Sequence, residues 1–482
     1  MIEHNEDKKA LDWVESTLGN SLCGAKWYNA TIWLGSGMTA SCHHPQAHKI
    51  DIAPLAENPS ALHNTEYKKL VRKQMQAGVR PKECEYCWKI EDLSKTHISD
   101  RYYKSAIYTN DELTKAFKAP ASQDFDLKTL EISFDSNCNL ACSYCNASFS
   151  TKWAHDIDNA GPYQNLDSDV GFTYAQNGKW TRPYGVKNEG NPYLEAFWKW
   201  WESTLQYSLT ELRITGGEAI ISNSFWQLMD WYTANPECNV RLAINSNLVH
   251  IGKVKQLVKA SKSVKNFHLF TSNESFGGHA EYIRDGLIWE EWKNNLIYCL
   301  EHGNFTLYHI MFTVNALCLA SLTEFLDFVL EIERQYSKRI EVSFNILRFP
   351  SFQSVTTLPE NLRKQKAHQL SEWLAKNGNA FESNWVSNRI TAVIDYLQQI
   401  EQGHASSSDV GKRQSDFKQF FTQYDIRRNK SFVQTFADWP ELVSWYNSVP
   451  ADAVFKVDLH NELIPDNPYE ESVQEWSQHN KK

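Results

Sequence analysis

Between residues 129 and 347 the sequence alternates between short runs rich in β-branched and aromatic residues and longer runs whose apolar residues recur every three to four positions. The short runs are TLEISFD (129–135), TELRIT (210–215), NVRLAIN (239–245), NFHLFTS (266–272), FTLYHIMFTVN (305–315) and IEVSFNI (340–346). They read as strands, and the segments between them read as helices. One helical face takes Leu194, Phe197, Trp198, Trp201 and Leu205, and another takes Phe225, Leu228, Met229 and Tyr232. A third takes Leu322, Phe325, Leu326, Val329 and Leu330, behind a capping box of Ser321 and Glu324. Such alternation predicts an α/β fold: a parallel sheet with helices outside it and right-handed crossovers. An open doubly wound sheet and a partial barrel both satisfy the pattern. Either one puts its chemistry at the carboxyl ends of the strands.

At 482 residues the chain has room for about three domains. The pattern divides it into 1–125, 126–350 and a mostly helical 351–482. The stretch 146–192, rich in Gly, Asn and Tyr, reads as a lid or substrate wall, because it leaves the first strand end. Within the last region, QGHASSSDVGKRQSD (402–416) reads as a flexible connection. In the same region Asp425, Arg427 and Arg428 form a charged group that reads as a surface salt-bridge cluster or a clamp for a carboxylate or phosphate. A net charge of −9 argues against a broad nucleic-acid footprint. No apolar run approaches membrane-spanning length, and MIEHNEDKKALDW carries no signal-peptide core, so the expected compartment is the cytoplasm. Aromatic residues make up 13% of the chain, enough for a stacking cavity or a Trp-rich core.

Ten cysteines in such a chain read as ligands or thiols before disulfides. Cys238, Cys299 and Cys318 are isolated and read as small buried residues. Cys138, Cys142 and Cys145 fall in SNCNLACSYCNAS, immediately after the first strand. Thiolates bind zinc or iron–sulfur clusters, but a closed zinc site wants four ligands. Three cysteines on an iron–sulfur cubane leave one iron open.

Cys-x3-Cys-x2-Cys after a strand, with Tyr144 before the last cysteine, resembles the radical S-adenosylmethionine superfamily. The resemblance implies a partial (β/α)6 TIM-type barrel and a 4Fe–4S cluster whose open iron chelates S-adenosylmethionine. It further implies a single-electron donor such as flavodoxin or ferredoxin, and a 5′-deoxyadenosyl radical that abstracts hydrogen from a substrate. RITGGEAII, ending the second strand, resembles the family's GGE motif in Gly216, Gly217 and Glu218, whose backbone meets the methionyl amino group. Ser246 and Asn247 stand where the family ends its third strand in a TNG-like turn. Ser272 ends the fourth strand, and Arg284 resembles the arginine that meets the cofactor carboxylate. Val314 and Asn315 end the fifth strand, where the family packs the adenine. The sequence departs from the family's Ser-x-Asp-Gly after the fourth strand, reading TSNES.

Before the alternating region lie Cys23, Gly37-x4-Cys42 and Cys84-x2-Cys87. Four thiolates in two pairs can close a metal site, either a zinc ribbon or an iron–sulfur cluster. The spacing resembles SPASM and twitch domains, the shorter twitch form fitting four cysteines, and implies an auxiliary 4Fe–4S cluster. Here that domain precedes the barrel, whereas in familiar cases it follows. His43, His44 and His48 flank Cys42 and read as solvated or core histidines, the alternative being that one of them replaces a ligand. The expected function is oxidative hydrogen abstraction on a peptide or a polar small molecule. The alternatives are a non-catalytic metal-binding scaffold and an RNA-modifying enzyme of the same family.

Overall fold

The structure is a computed structural model that describes residues 9–93, 98–169, 190–336, 340–380, 384–399 and 407–450. Its strands are β1 (Asn29–Trp33), β2 (Met38–Ala40), β3 (His48–Lys49), β4 (Thr129–Ser133), β5 (Ala141–Cys142), β6 (Glu211–Thr215), β7 (Arg241–Ser246), β8 (Phe267–Ser272), β9 (Arg284–Asp285), β10 (Leu307–Val314) and β11 (Ile340–Ile346). All six expected strands form, as β4, β6, β7, β8, β10 and β11. They lie side by side in that order and run parallel. The order never reverses, so right-handed crossovers put every connecting helix on one face of the sheet. A doubly wound sheet, which needs a reversal, is thereby excluded.

Alternation along the strands separates two faces. Leu130, Ile132, Leu212, Ile214, Leu242, Ile244, Ile310, Phe312 and Val342 are buried in the main core. Several intervening positions, Glu131, Arg213, His309 and Glu341, are only partly buried, so part of the second face is polar and reached by solvent. The connecting helices seat on the apolar face as their spacing predicts. Phe225, Leu228, Met229 and Tyr232 are almost wholly buried, each contributing about 1.5–3 kcal/mol. Trp198 is only partly buried, and Trp200 takes its place in the core. Ser321 does not close the expected box: its hydroxyl bonds the Ser275 hydroxyl at 2.8 Å and accepts the Phe276 N–H at 3.0 Å.

The sheet continues across the 125/126 boundary. β1 pairs in parallel with β4, Asn29 opposite Thr129 through Trp33 opposite Ser133. β2 and β3 extend it antiparallel. Residues 1–125 also own a second apolar core around Trp27, Tyr28, Val71, Met75, Trp88 and Leu113. At the far end of the run, Arg348 just beyond β11 donates to the Tyr86 hydroxyl at 2.7 Å and stacks on its ring at 4.4 Å. The N-terminal region therefore touches both ends of the six-strand run.

Two expectations for the connections need correction. Within 146–192, Thr151–Ala160 is a helix capped by Ser150 that buries Trp153, Ala154 and Ile157; 170–189 lies outside the described residues. The flexible connection expected at 402–416 is helical from 407, inside Ser407–Arg428. Phe417, Phe420, Phe421 and Tyr424 of that helix are fully buried. Their apolar face anchors the helix, and the Lys, Arg and Gln upstream are good helix formers that propagate it back. The Asp425 group is also no surface cluster. Arg427 and Arg428 are 9% and 5% exposed and pair with Asp156, while Asp425 accepts from the Tyr282 hydroxyl at 2.7 Å. Among the described residues, no helix is long and apolar enough to cross a membrane.

Candidate functional site

Beyond β4 the chain turns on Asp135, whose carboxylate accepts from Asn137 N–H at 3.0 Å and from the Ser222 hydroxyl at 2.6 Å. The cysteine loop is then pinned along its length. Cys138 N–H donates to the Thr151 hydroxyl, and Trp153 Nε1 donates to the Cys142 carbonyl at 2.9 Å. β5 pairs antiparallel with β9, setting Cys142 opposite Arg284. Ser143 exchanges two 2.9 Å bonds with the Gln353 side chain. Burial pushes the Cys138 thiol up to about 12 and raises Cys142 and Cys145 as well. Burial therefore disfavours the thiolate form of all three unless positive charge is brought close to them.

The GGE segment presses onto this loop. Gly216 has φ +119°, and a Cβ there would lie 2.5 Å from Ser133 Oγ. A Cβ on Gly217 would lie 2.2 Å from the Asn137 carbonyl oxygen. The Glu218 N–H donates to that same carbonyl at 2.6 Å. The paired glycines are therefore required by backbone-to-backbone approach, whatever binds above them. The Glu218 carboxyl is buried and faces the next strand end, accepting from the Ser246 hydroxyl at 2.7 Å and Asn247 N–H at 2.6 Å. Burial pushes it up to about 7. The Asn247 amide reaches back to Asn139 in the cysteine loop at 2.7 Å. Three strand ends are thus laced into one unit.

Arg284 completes the far wall. It is buried, with Nη1 3.8 Å from Cys142 Sγ and Nη2 2.6 Å from the Tyr144 hydroxyl. Its counter-ion is Glu274, completely buried, with Nε at 3.1 Å and Nη2 at 2.5 Å. The Tyr144 hydroxyl donates to the same carboxylate at 3.0 Å. Glu274 holds Arg284 firmly cationic. Sequence reasoning missed Glu274, although it lies inside the TSNES departure. Ser272, half-buried, pairs through its backbone with Met311. Val314 is buried, and the Asn315 side chain caps a local turn by accepting from Leu317 and Cys318 N–H.

The second cysteine set also converges. Cys23, Cys42, Cys84 and Cys87 line one cavity together with Lys26, His44, Asp100, Arg101 and Lys104. Gly37 of the motif has φ +65°, and a Cβ there would strike the Tyr193 ring at 2.2 Å, so this turn packs on the helix that leads toward β6. Burial pushes the Cys84 and Cys87 thiols up to about 12 and raises Cys42. His44 stacks on Tyr86 with ring centroids 3.9 Å apart and bonds Asp100 at 2.7 Å. His43 approaches the same carboxylate at 3.4 Å. His48 bonds the Thr65 hydroxyl at 2.9 Å, and burial lowers it to about 4. Among the described residues, only His43, His44 and Asp100 bring three metal-binding atoms within 4.8 Å of one another, and neither cysteine set does.

No protein-family description and no curated protein sequence matches this chain. Solved structures similar to it include SuiB of Streptococcus suis bound to S-adenosylmethionine, at 12% identity and a TM-score of 0.32, covering 72% of this chain and 68% of that one. A second SuiB structure matches at 14% identity with the same score and coverage. A score this low carries no argument about this chain's chemistry.

Proposed function

We propose that the chain is a radical S-adenosylmethionine enzyme that abstracts a hydrogen atom from a peptide or polar small molecule in an oxidative transformation. The observation that carries this reading is the backbone contact between Gly217 and Asn137. It joins the three-cysteine loop and the Gly-Gly-Glu turn, far apart in sequence, at neighbouring strand ends. When bound there, a 4Fe–4S cluster and S-adenosylmethionine would supply one-electron cleavage of the sulfonium, by an external donor of the flavodoxin or ferredoxin class, to methionine and a 5′-deoxyadenosyl radical.

This chain's own residues would do the rest. Cys138, Cys142 and Cys145 would hold the cluster, and Arg284, fixed by Glu274 and Tyr144, would balance thiolate or carboxylate charge. Contact of residues 1–125 with both ends of the six-strand run supports a curved, barrel-like sheet. A flat one would separate β4 from β11 by about 24 Å. Cys23, Cys42, Cys84 and Cys87 are read as ligands of an auxiliary 4Fe–4S cluster. A cluster held by these four thiolates would supply a one-electron acceptor for an oxidative reaction. A one-electron carrier would then restore the site.

Anaerobic reconstitution tests the reading. Two cubanes per chain are expected, falling to one in the Cys138→Ala, Cys142→Ala, Cys145→Ala variant, with 5′-deoxyadenosine formed by the parent under reducing conditions. Unchanged iron in the triple variant overturns the cluster assignment. Two bound cubanes without 5′-deoxyadenosine under several reductants would favour the non-catalytic scaffold.

A further inference from the structure

Lys26 occupies an unusual place for a lysine. It follows Cys23 by three residues on the short helix Ala25–Tyr28 and lines the same cavity as the four N-terminal cysteines. Its side chain is 2% exposed and its ammonium pairs with Glu83, the residue before Cys84. An ammonium this deep is costly unless neighbouring charge offsets it. Glu83 supplies one negative charge. Arg101, also on the cavity wall, is already matched by Glu91 through two 2.9 Å bonds. Lys104 lines the cavity too but is only partly buried, which leaves Lys26 as the buried lysine beside the four thiols. The Ser105 hydroxyl adds a weaker donor, 3.9 Å from Cys23 Sγ.

We propose that Lys26 sets the reduction potential of the centre held by Cys23, Cys42, Cys84 and Cys87, raising it so that the centre accepts an electron readily. The proposal rests on reading that pocket as an auxiliary iron–sulfur site. Reduction adds one negative charge inside a water-poor pocket, and a fixed positive charge beside it stabilises the reduced state. Glu83 opposes the effect, so removing the acid and removing the base must move the potential in opposite directions. A residue with a purely structural role has no such pair of signs.

The experiment is a potentiometric titration followed by electron paramagnetic resonance. It uses the full-length chain carrying Cys138→Ala, Cys142→Ala and Cys145→Ala, so that only the N-terminal centre reports. Lys26→Met is expected to lower the reduced-to-oxidised ratio at fixed potential about tenfold, a shift of about 59 mV for a one-electron couple. Lys26→Arg should stay near the parent, and Glu83→Gln should shift upward. A redox-active centre unmoved by Lys26→Met, or one that Glu83→Gln also shifts downward, overturns the proposal while leaving the auxiliary-site reading intact. Should Lys26→Met lose its iron by misfolding, Glu83→Gln decides alone, and an unmoved or lowered midpoint overturns the proposal. Zinc without iron in the parent of the series overturns both.

Discussion

Gly217 lies so close to the Asn137 carbonyl that a single added methyl would sit 2.2 Å from its oxygen. This contact holds the end of β6 against the cysteine loop. Gly217→Ala is expected to destabilise the apo chain by about 1–3 kcal/mol through overpacking against backbone. Urea denaturation measures that cost. Gly278→Ala, at a position where an added Cβ meets nothing within 4 Å, is the control and should lie within about 0.5 kcal/mol of the parent.

Arg284 and Glu274 form a buried pair, 6% and 1% exposed. Removing either partner leaves an uncompensated charge, so Arg284→Met and Glu274→Gln should each cost about 3–5 kcal/mol. The double variant should recover a substantial part of that loss. Additive costs in a double-mutant cycle would contradict the coupling.

Glu218 predicts a pH dependence. Burial lifts its carboxyl from 4.5 to about 7, so the folded chain holds that proton more tightly than the unfolded chain. The associated stability is full below the unfolded value and is lost as pH rises toward 7, by up to about 3 kcal/mol. The stability difference between parent and Glu218→Gln, measured on apo protein, should therefore fall between pH 4.5 and 7 and level off above. A difference independent of pH would show that Glu218 titrates normally.

Arg428 is 5% exposed, pairs with Asp156, and stacks over Trp153 at 4.7 Å and Tyr424 at 4.2 Å. Arg428→Ala should loosen the contact between the Ser407–Arg428 helix and the segment behind the cysteine loop. Hydrogen exchange should accelerate in 151–163 and 282–285 before the rest of the sheet. Uniform acceleration would instead indicate global destabilisation.

The parts legible in advance were those set by local periodicity. Six strands and their helices follow from alternation, and the cysteine sets follow from spacing that composition alone does not produce. What escaped depends on partners distant in the chain. β1 is five residues long and its place beside β4 is a tertiary outcome. Glu274 takes its role from Arg284, ten residues on, whose guanidinium it pairs. Lys26 owes its place to the pocket that closes around it, formed by residues up to about 78 positions away. The helix at 407–416 was hidden because its own residues are polar, and its apolar anchor begins only at Phe417.

The pairing of β1 with β4 joins residues 100 positions apart. As the chain leaves the ribosome, β1 emerges roughly 5–20 s before the strand it must lie against. During that interval Ala30 and Ile32, destined to be fully buried, have β2, β3 and core residues such as Ile50, Ile52 and Leu62 beside them, but not β4. The N-terminal cysteines emerge in the same interval. The N-terminal strands must therefore keep their own shape through that interval, so the rate of synthesis bears directly on the yield of folded protein.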